Sequence, residues 1–162
     1  YIGDHTALDV LITYTDTDGR SCFVGIEVKY AEDRPGTATP IKPRLLEIAR
    51  RSKLFADPEN TALHRPPLRQ FFAEHMLCHA IVHEREDFER GMFAVVSPTL
   101  NYEMSVVIDS YQTHLVPAQH DVLPFRRVST ESCSRMPPLK SSNCLSSSDF
   151  FFLPIARRSR SA

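Results

Sequence analysis

The chain has 162 residues, a hydrophobic share of 42% and a charged share of 24%, enough for one ordinary domain with its own core. A formal net charge of −1 removes the overall basic character that by itself announces nucleic acid, and the longest apolar runs are too short to cross a bilayer. Four cysteines, Cys22, Cys78, Cys133 and Cys144, lie far apart without a C-x-x-C pair, which argues against a zinc knuckle or disulfide framework and for free thiols in a reducing, cytoplasmic setting.

Residues 7–14 (ALDVLITY) and 22–30 (CFVGIEVKY) are rich in β-branched and aromatic residues and flank the turn-rich segment 15–20 (TDTDGR), which predicts a β-hairpin. The chain opens at Tyr1 on the approach to that hairpin with no basic-then-apolar leader, and reads as a fragment lacking its true start. Pro35, Gly36, Pro40 and Pro43 punctuate a loop, and residues 44–55 (RLLEIARRSKLF) read as a short helix. Pro58, Pro66 and Pro67 interrupt the chain again. Residues 68–84 (LRQFFAEHMLCHAIVHE) follow Pro67, hold good helix formers and turn apolar on nearly every side in their second half, so a helix packed on a sheet is expected. Residues 92–96 (MFAVV) read as a buried strand. Met104, Val107, Ile108, Tyr111 and Leu115 fall at helical spacing, and residues 125–128 read as a last short strand. A strand, a long crossover carrying a helix and another apolar strand predict a mixed α/β sheet. From about residue 132 the composition shifts to Ser, Pro and Arg with one apolar cluster, Phe150 to Leu153. Such a stretch buries too little surface to offset its ordering entropy, so disorder is expected over 132–162 beside a domain over 1–131.

Charge is unevenly spread. Residues 1–28 hold five acids against one arginine, −4, whereas residues 29–69 hold nine basic residues against five acids, +4. An acidic hairpin followed by a basic connection suits a site that holds a cation and draws in phosphate.

The hairpin register decides whether the acids meet. Along the first strand Leu8, Val10 and Ile12 share one face and Asp9 takes the other; along the second, Val24, Ile26, Val28 and Tyr30 oppose Gly25, Glu27 and Lys29. A three-residue loop, Thr17-Asp18-Gly19, with Gly19 in the left-handed position, pairs Asp16 with Arg20. It sets Asp9 opposite Glu27 and keeps the apolar sets on one side, whereas a two-residue turn would mix the faces. Two facing carboxylates repel unless something positive lies between them, and a divalent cation with Lys29 would supply it. Hard cations take carboxylate, carbonyl and water oxygens, so Asp9, Glu27 and the carbonyl of Val28 form a plausible open set.

Asp9, followed after a hairpin by Glu27-Val28-Lys29, resembles the D…(D/E)-x-K signature of the PD-(D/E)XK nuclease superfamily. The text IEVKYAE (Ile26 to Glu32) looks like its bacterial nuclease-like domain group, and the similarity runs from about Ala7 to Val128. The resemblance implies a restriction-endonuclease-like α/β core of hairpin, crossover helix and further strand, and Mg²⁺- or Mn²⁺-dependent hydrolysis of nucleic acid, DNA first. It implies that Asp9 and Glu27 bind the metal and that Lys29 positions or activates water. Gln70, early in the crossover helix, is similar to a helical Gln that some members place beside the site. The family commonly carries an earlier helix with an additional acid, which here would lie before Tyr1; Leu8 stands where the family name has Pro.

Plainer readings compete with these. The hairpin polar set also suits a solvated sheet face on which Lys29 neutralises two acids, and the scaffold also suits a non-catalytic nuclease-fold module binding nucleic acid or a protein. His75, Cys78, His79 and His83 recur at the helical spacing that lets ligands converge on zinc, but H-E-x-x-H is absent and packing histidines are the expected reading. Tyr30, Phe71, Phe72 and Tyr111 have the chemistry to stack on bases, though such spacings usually mark core. Arg157-Arg158-Ser159-Arg160 is too short for a nucleic-acid motif and reads as a solvated end.

Overall fold

Gly19 sits at φ 82° at the tip of the hairpin, the left-handed conformation that a side chain disfavours. Its N–H donates to the Asp16 carbonyl, and the Asp16 N–H donates to the Arg20 carbonyl at 3.0 Å, closing the three-residue loop expected from the sequence. The Asp16 carboxylate reinforces the turn by accepting from the backbone N–H groups of Asp18 and Arg20, each at 2.9 Å. The register follows without slippage, with Val10 opposite Ile26 and Ile12 opposite Val24.

The computed structural model describes residues 6–30, 40–117 and 125–129. The elements run β1 (Val10–Thr15), β2 (Ser21–Val28), α1 (Pro43–Ser52), α2 (Leu68–Glu84), β3 (Arg90–Ser97), α3 (Tyr102–Thr113) and β4 (Phe125–Ser129). One sheet has the order β1-β2-β3-β4. Its hairpin is antiparallel, whereas β2 with β3 and β3 with β4 are parallel. Parallel neighbours require crossover connections; the first carries α1 and α2 and the second carries α3. The mixed α/β architecture is thus as the sequence predicts.

Each side of the sheet has its own apolar cluster. On one side Phe23, Phe93, Val95 and Phe125 pack with Leu45 and Ile48 of α1, Phe71, Phe72 and Met76 of α2, and Ile108 and Tyr111 of α3. On the other, Val24, Ile26, Met92 and Ala94 form a smaller cluster with Val10, Ile12, Val28, Val96 and Val128. The helix α2 is buried on most of its circumference because it lies between the sheet and its helical neighbours. Gly25 lets it come close: a Cβ there would stand 2.6 Å from Cys78 Sγ and 2.7 Å from Leu8 Cδ1.

The structure corrects three details. Leu8 does not share the face of Val10 and Ile12; it packs with the helix-side cluster, over Gly25. The cause is that β1 begins only at Val10, so strand alternation does not extend back to Leu8, and the side chain turns to the vacancy left by the glycine. The first helix stops at Ser52 instead of Phe55. Ser52 Oγ donates to the Ala49 carbonyl and accepts from the Leu54 N–H, Lys53 turns left-handed at φ 55°, and Phe55 pairs with Leu115 as an isolated bridge. Finally, the hairpin polar set is not a solvated face, because Glu27 and Lys29 are each 3% exposed. The expectations for Phe150 to Leu153, the arginine-rich end, Cys133 and Cys144 fall outside the described residues. Among the described residues no helix is long and apolar enough to cross a membrane.

Candidate active site

The β1 ladder ends at Val10, one residue short of Asp9. Where a next backbone carbonyl would have served, the Asp9 side chain takes over: its Oδ2 accepts the Val28 N–H at 2.8 Å. The same register that pairs Val10 with Ile26 brings Asp9 abreast of Glu27. On the other flank of β2, the Lys29 N–H donates to the Val96 carbonyl at 2.8 Å. The backbone of Val28 and Lys29 is therefore held from both sides, by the Asp9 side chain and by the Val96 carbonyl, and Glu27 turns toward α2, as Gly25 does.

The side chains then close a small network. Lys29 Nζ stands 2.8 Å from Glu27 Oε1 and donates to Gln70 Oε1 at 2.6 Å. Gln70 Nε2 donates to Glu27 Oε1 at 2.6 Å and to Glu74 Oε1 at 2.8 Å. Gln70 belongs to the first turn of α2 and is exposed, as is Asp9, so the network reaches the surface at these two residues while Glu27, Lys29 and Glu74 lie beneath. The structure thus brings together Glu27, Lys29 and Gln70 by direct contact and sets Asp9 beside them on the backbone of Val28.

Burial governs the protonation of this cluster. Loss of water pushes the Glu27 carboxyl up; Lys29 opposes that shift and the charge of Asp9 adds to it. Burial likewise pushes Glu74 up to about 9, with the neighbouring Glu27 charge as the next cause. A buried carboxylate without full compensation is costly, and Glu74 Oε2 is buried with no hydrogen-bond partner. An ion pair taken out of water, with several kcal/mol (order of magnitude) of desolvation per ion, is a poor way to gain stability. Perturbed, buried, mutually contacting ionisable groups that open to the surface are instead the pattern of a functional site.

Glu74 escaped the sequence reading. Its signal was present: it stands four residues after Gln70, on the same helix face, and is an acid in a stretch where the surrounding positions are apolar and buried. The histidine and cysteine series is scattered by the same helix. His75 is core, with Nδ1 3.0 Å from Tyr111 Oη and its ring tilted against Phe93 and Phe125. Cys78 is a buried free thiol, as is Cys22. His79 and His83 pack on each other, ring centroids 4.1 Å apart. Of the four aromatics considered for base stacking, Phe71, Phe72 and Tyr111 are core and Tyr30 is 71% exposed.

A family model of the PD-(D/E)XK nuclease superfamily matches residues 1–137. The chain belongs to that superfamily. No curated protein and no solved structure matches it significantly. Membership gives the chain a nuclease fold and, in general terms, nucleic acid as the partner of that fold. Members of the superfamily generally use divalent metals. Among the described residues no group of three or more His, Cys, Asp or Glu is placed to hold a metal ion. What this chain offers is two carboxylates, Asp9 and Glu27, on neighbouring backbone positions. That is an all-oxygen pair, a kind of donor that divalent cations accept.

Proposed function

We propose that this chain is a Mg²⁺- or Mn²⁺-dependent phosphodiesterase acting on DNA, with Asp9, Glu27, Lys29 and Gln70 as its catalytic residues. The observation that carries the reading is the buried Glu27–Lys29 pair at 2.8 Å, set beside Asp9 through the 2.8 Å bond to the Val28 N–H. Asp9, Glu27 and the carbonyl of Val28 would hold the ion. When bound, a divalent cation supplies Lewis acidity toward the phosphodiester and its attacking water. The residues of the chain do the rest. Lys29 orients water for in-line attack at phosphorus and steadies negative charge as the leaving oxygen departs. Gln70 fixes the amine through its carbonyl oxygen at 2.6 Å, and Glu27 pairs with it at 2.8 Å. The basic segment after the hairpin draws the polyanion toward the acidic end. The same proposal takes residues 1–131 as the nuclease-like domain with a separate tail over 132–162, working in the reducing cytoplasm that free Cys22 and Cys78 suit.

The test is cleavage of single- and double-stranded DNA by purified protein with Mg²⁺ or Mn²⁺, against chelator and against Lys29→Ala. Metal-dependent cutting that Lys29→Ala abolishes is expected; no cutting of either substrate, with the variant indistinguishable from the parent, sinks the reading.

A second reading, a nuclease-fold module that binds nucleic acid or a protein without turnover, is favoured by one observation. Glu27 Oε1 is already engaged by both Lys29 and Gln70, and among the described residues no group of three or more His, Cys, Asp or Glu is placed to hold a metal ion. Salt-dependent DNA binding that chelator leaves unchanged, without cleavage, selects it.

A further inference from the structure

We infer that Glu74 is a positioning residue: by accepting an N–H of Gln70 it fixes the plane of the Gln70 amide and, through it, the place of the Lys29 amine. The phosphodiesterase reading enters only in what the positioned amine then does.

The argument starts from the amide itself. Gln70 has one acceptor end and one donor end with two N–H groups. Its oxygen takes Lys29 Nζ at 2.6 Å, and its nitrogen gives to Glu27 Oε1 at 2.6 Å. Two contacts, one at each end, leave the amide free to pivot about the line that joins them. The third contact, Nε2 to Glu74 Oε1 at 2.8 Å, removes that freedom. The flipped amide is already excluded by the first two contacts, since its NH₂ would face an ammonium and its carbonyl a carboxylate; Glu74 restrains the remaining pivot. Glu74 is suited to the task by its place one helical turn below Gln70, where i and i+4 side chains share a face, and by being 1% exposed, so that it meets no substrate itself. Gln70, exposed and in the first helical turn, has the freedom that needs restraining. The hydrogen bond requires only an acceptor oxygen at that place, which a glutamine also presents.

The experiment reads the amine directly. The full chain and its Glu74→Ala, Glu74→Gln, Gln70→Ala and Gln70→Ala/Glu74→Ala variants, each checked by circular dichroism, are treated briefly with an acetylating reagent, and acetylation of Lys29 is measured by peptide mass spectrometry. Glu74→Ala is expected to raise Lys29 labelling several-fold, Glu74→Gln to bring it most of the way back, and the double variant to match Gln70→Ala, because residues that act in series are not additive. Labelling in Glu74→Ala equal to the parent, Glu74→Gln as reactive as Glu74→Ala, or a double variant well beyond Gln70→Ala would each overturn the inference. Should Glu74→Ala fail to fold, Glu74→Gln against Gln70→Ala decides alone: a glutamine variant as reactive as Gln70→Ala refutes the role, and one close to the parent supports it. In DNA cleavage, Glu74→Ala is expected to lower kcat by about tenfold to a hundredfold, the scale of a small misplacement, with KM little changed. A parent that cuts no DNA yet shows the labelling pattern refutes the phosphodiesterase and leaves the positioning role standing.

Discussion

The two ends of the β1–β2 hairpin each carry an ion pair of the same chemistry, and they differ in nearly everything else. At the turn, Arg20 Nε lies 2.9 Å from Asp16 Oδ2 and Arg20 also pairs with Asp18; Arg20 and Asp16 are partly exposed and Asp18 is exposed. At the other end Lys29 Nζ lies 2.8 Å from Glu27 Oε1, with both side chains about 4% exposed. Near-equal distances hide a large difference in medium. In water the pair is screened and contributes little, so its main work is done by the Asp16 carboxylate bonding the turn's own N–H groups and setting the register. Under α2 the pair has lost its water, so it is a cost that packing must carry and that the proposed chemistry would explain. Local turn chemistry at one end thereby determines which acid faces which at the other.

The sharpest way to break this contrast is to remove one partner at the buried end. Lys29→Ala is expected to abolish cleavage and to lower stability by about 3–5 kcal/mol, because Glu27 is left as an uncompensated buried charge. A Glu27→Leu/Lys29→Met double variant should recover most of that stability in urea denaturation while remaining inactive. Recovery of stability without recovery of cutting would separate the site's energetic cost from its chemistry; a double variant less stable than Lys29→Ala would contradict the burial argument.

Next in size is pH. Glu74 ionises near 4.5 when unfolded and at about 9 in the fold, so the fold binds the proton more tightly. Its contribution is complete below about 4.5 and is lost as pH rises toward about 9. Glu27, also raised, acts in the same direction. Asp16 at the turn behaves oppositely: hydrogen bonding from Arg20 lowers its pKa, so its contribution is present at neutral pH and lost on acidification. Melting temperatures across this range should therefore fall with rising pH in the parent and fall less in Glu74→Gln. An unaltered slope in that variant would place the shift elsewhere.

Gly25→Ala should cost about 1–3 kcal/mol, the range for overpacking, since its new methyl meets Cys78 Sγ at 2.6 Å in the core. It also lies beneath the site, so the loss in cleavage should exceed the loss in folded fraction if α2 is pushed from β2. The smallest effect is expected from Arg20→Ala, a minor change in melting temperature with cleavage retained; a large loss of cleavage there would show that the turn pair does more than set register.

What the sequence determined by itself is local. Asp16, Gly19 and the alternation of Val10 and Ile12 against Val24 and Ile26 specify one turn and one register, because a slip by one residue would send every apolar side chain to the wrong face. That register was enough to bring Asp9 abreast of Glu27, and the order of helices and strands followed from periodicity and proline placement. What only tertiary structure decided is what lies over the hairpin. Nothing within residues 7–30 says that Glu27 and Lys29 are roofed by a helix some forty residues away in sequence, that Gly25 makes room for it, that Leu8 crosses to fill the gap, or that Glu74 arrives with Gln70. Burial, and with it the protonation of Glu27 and Glu74, depends on that distant packing, since the medium around a charge is set by neighbours the local sequence does not contain.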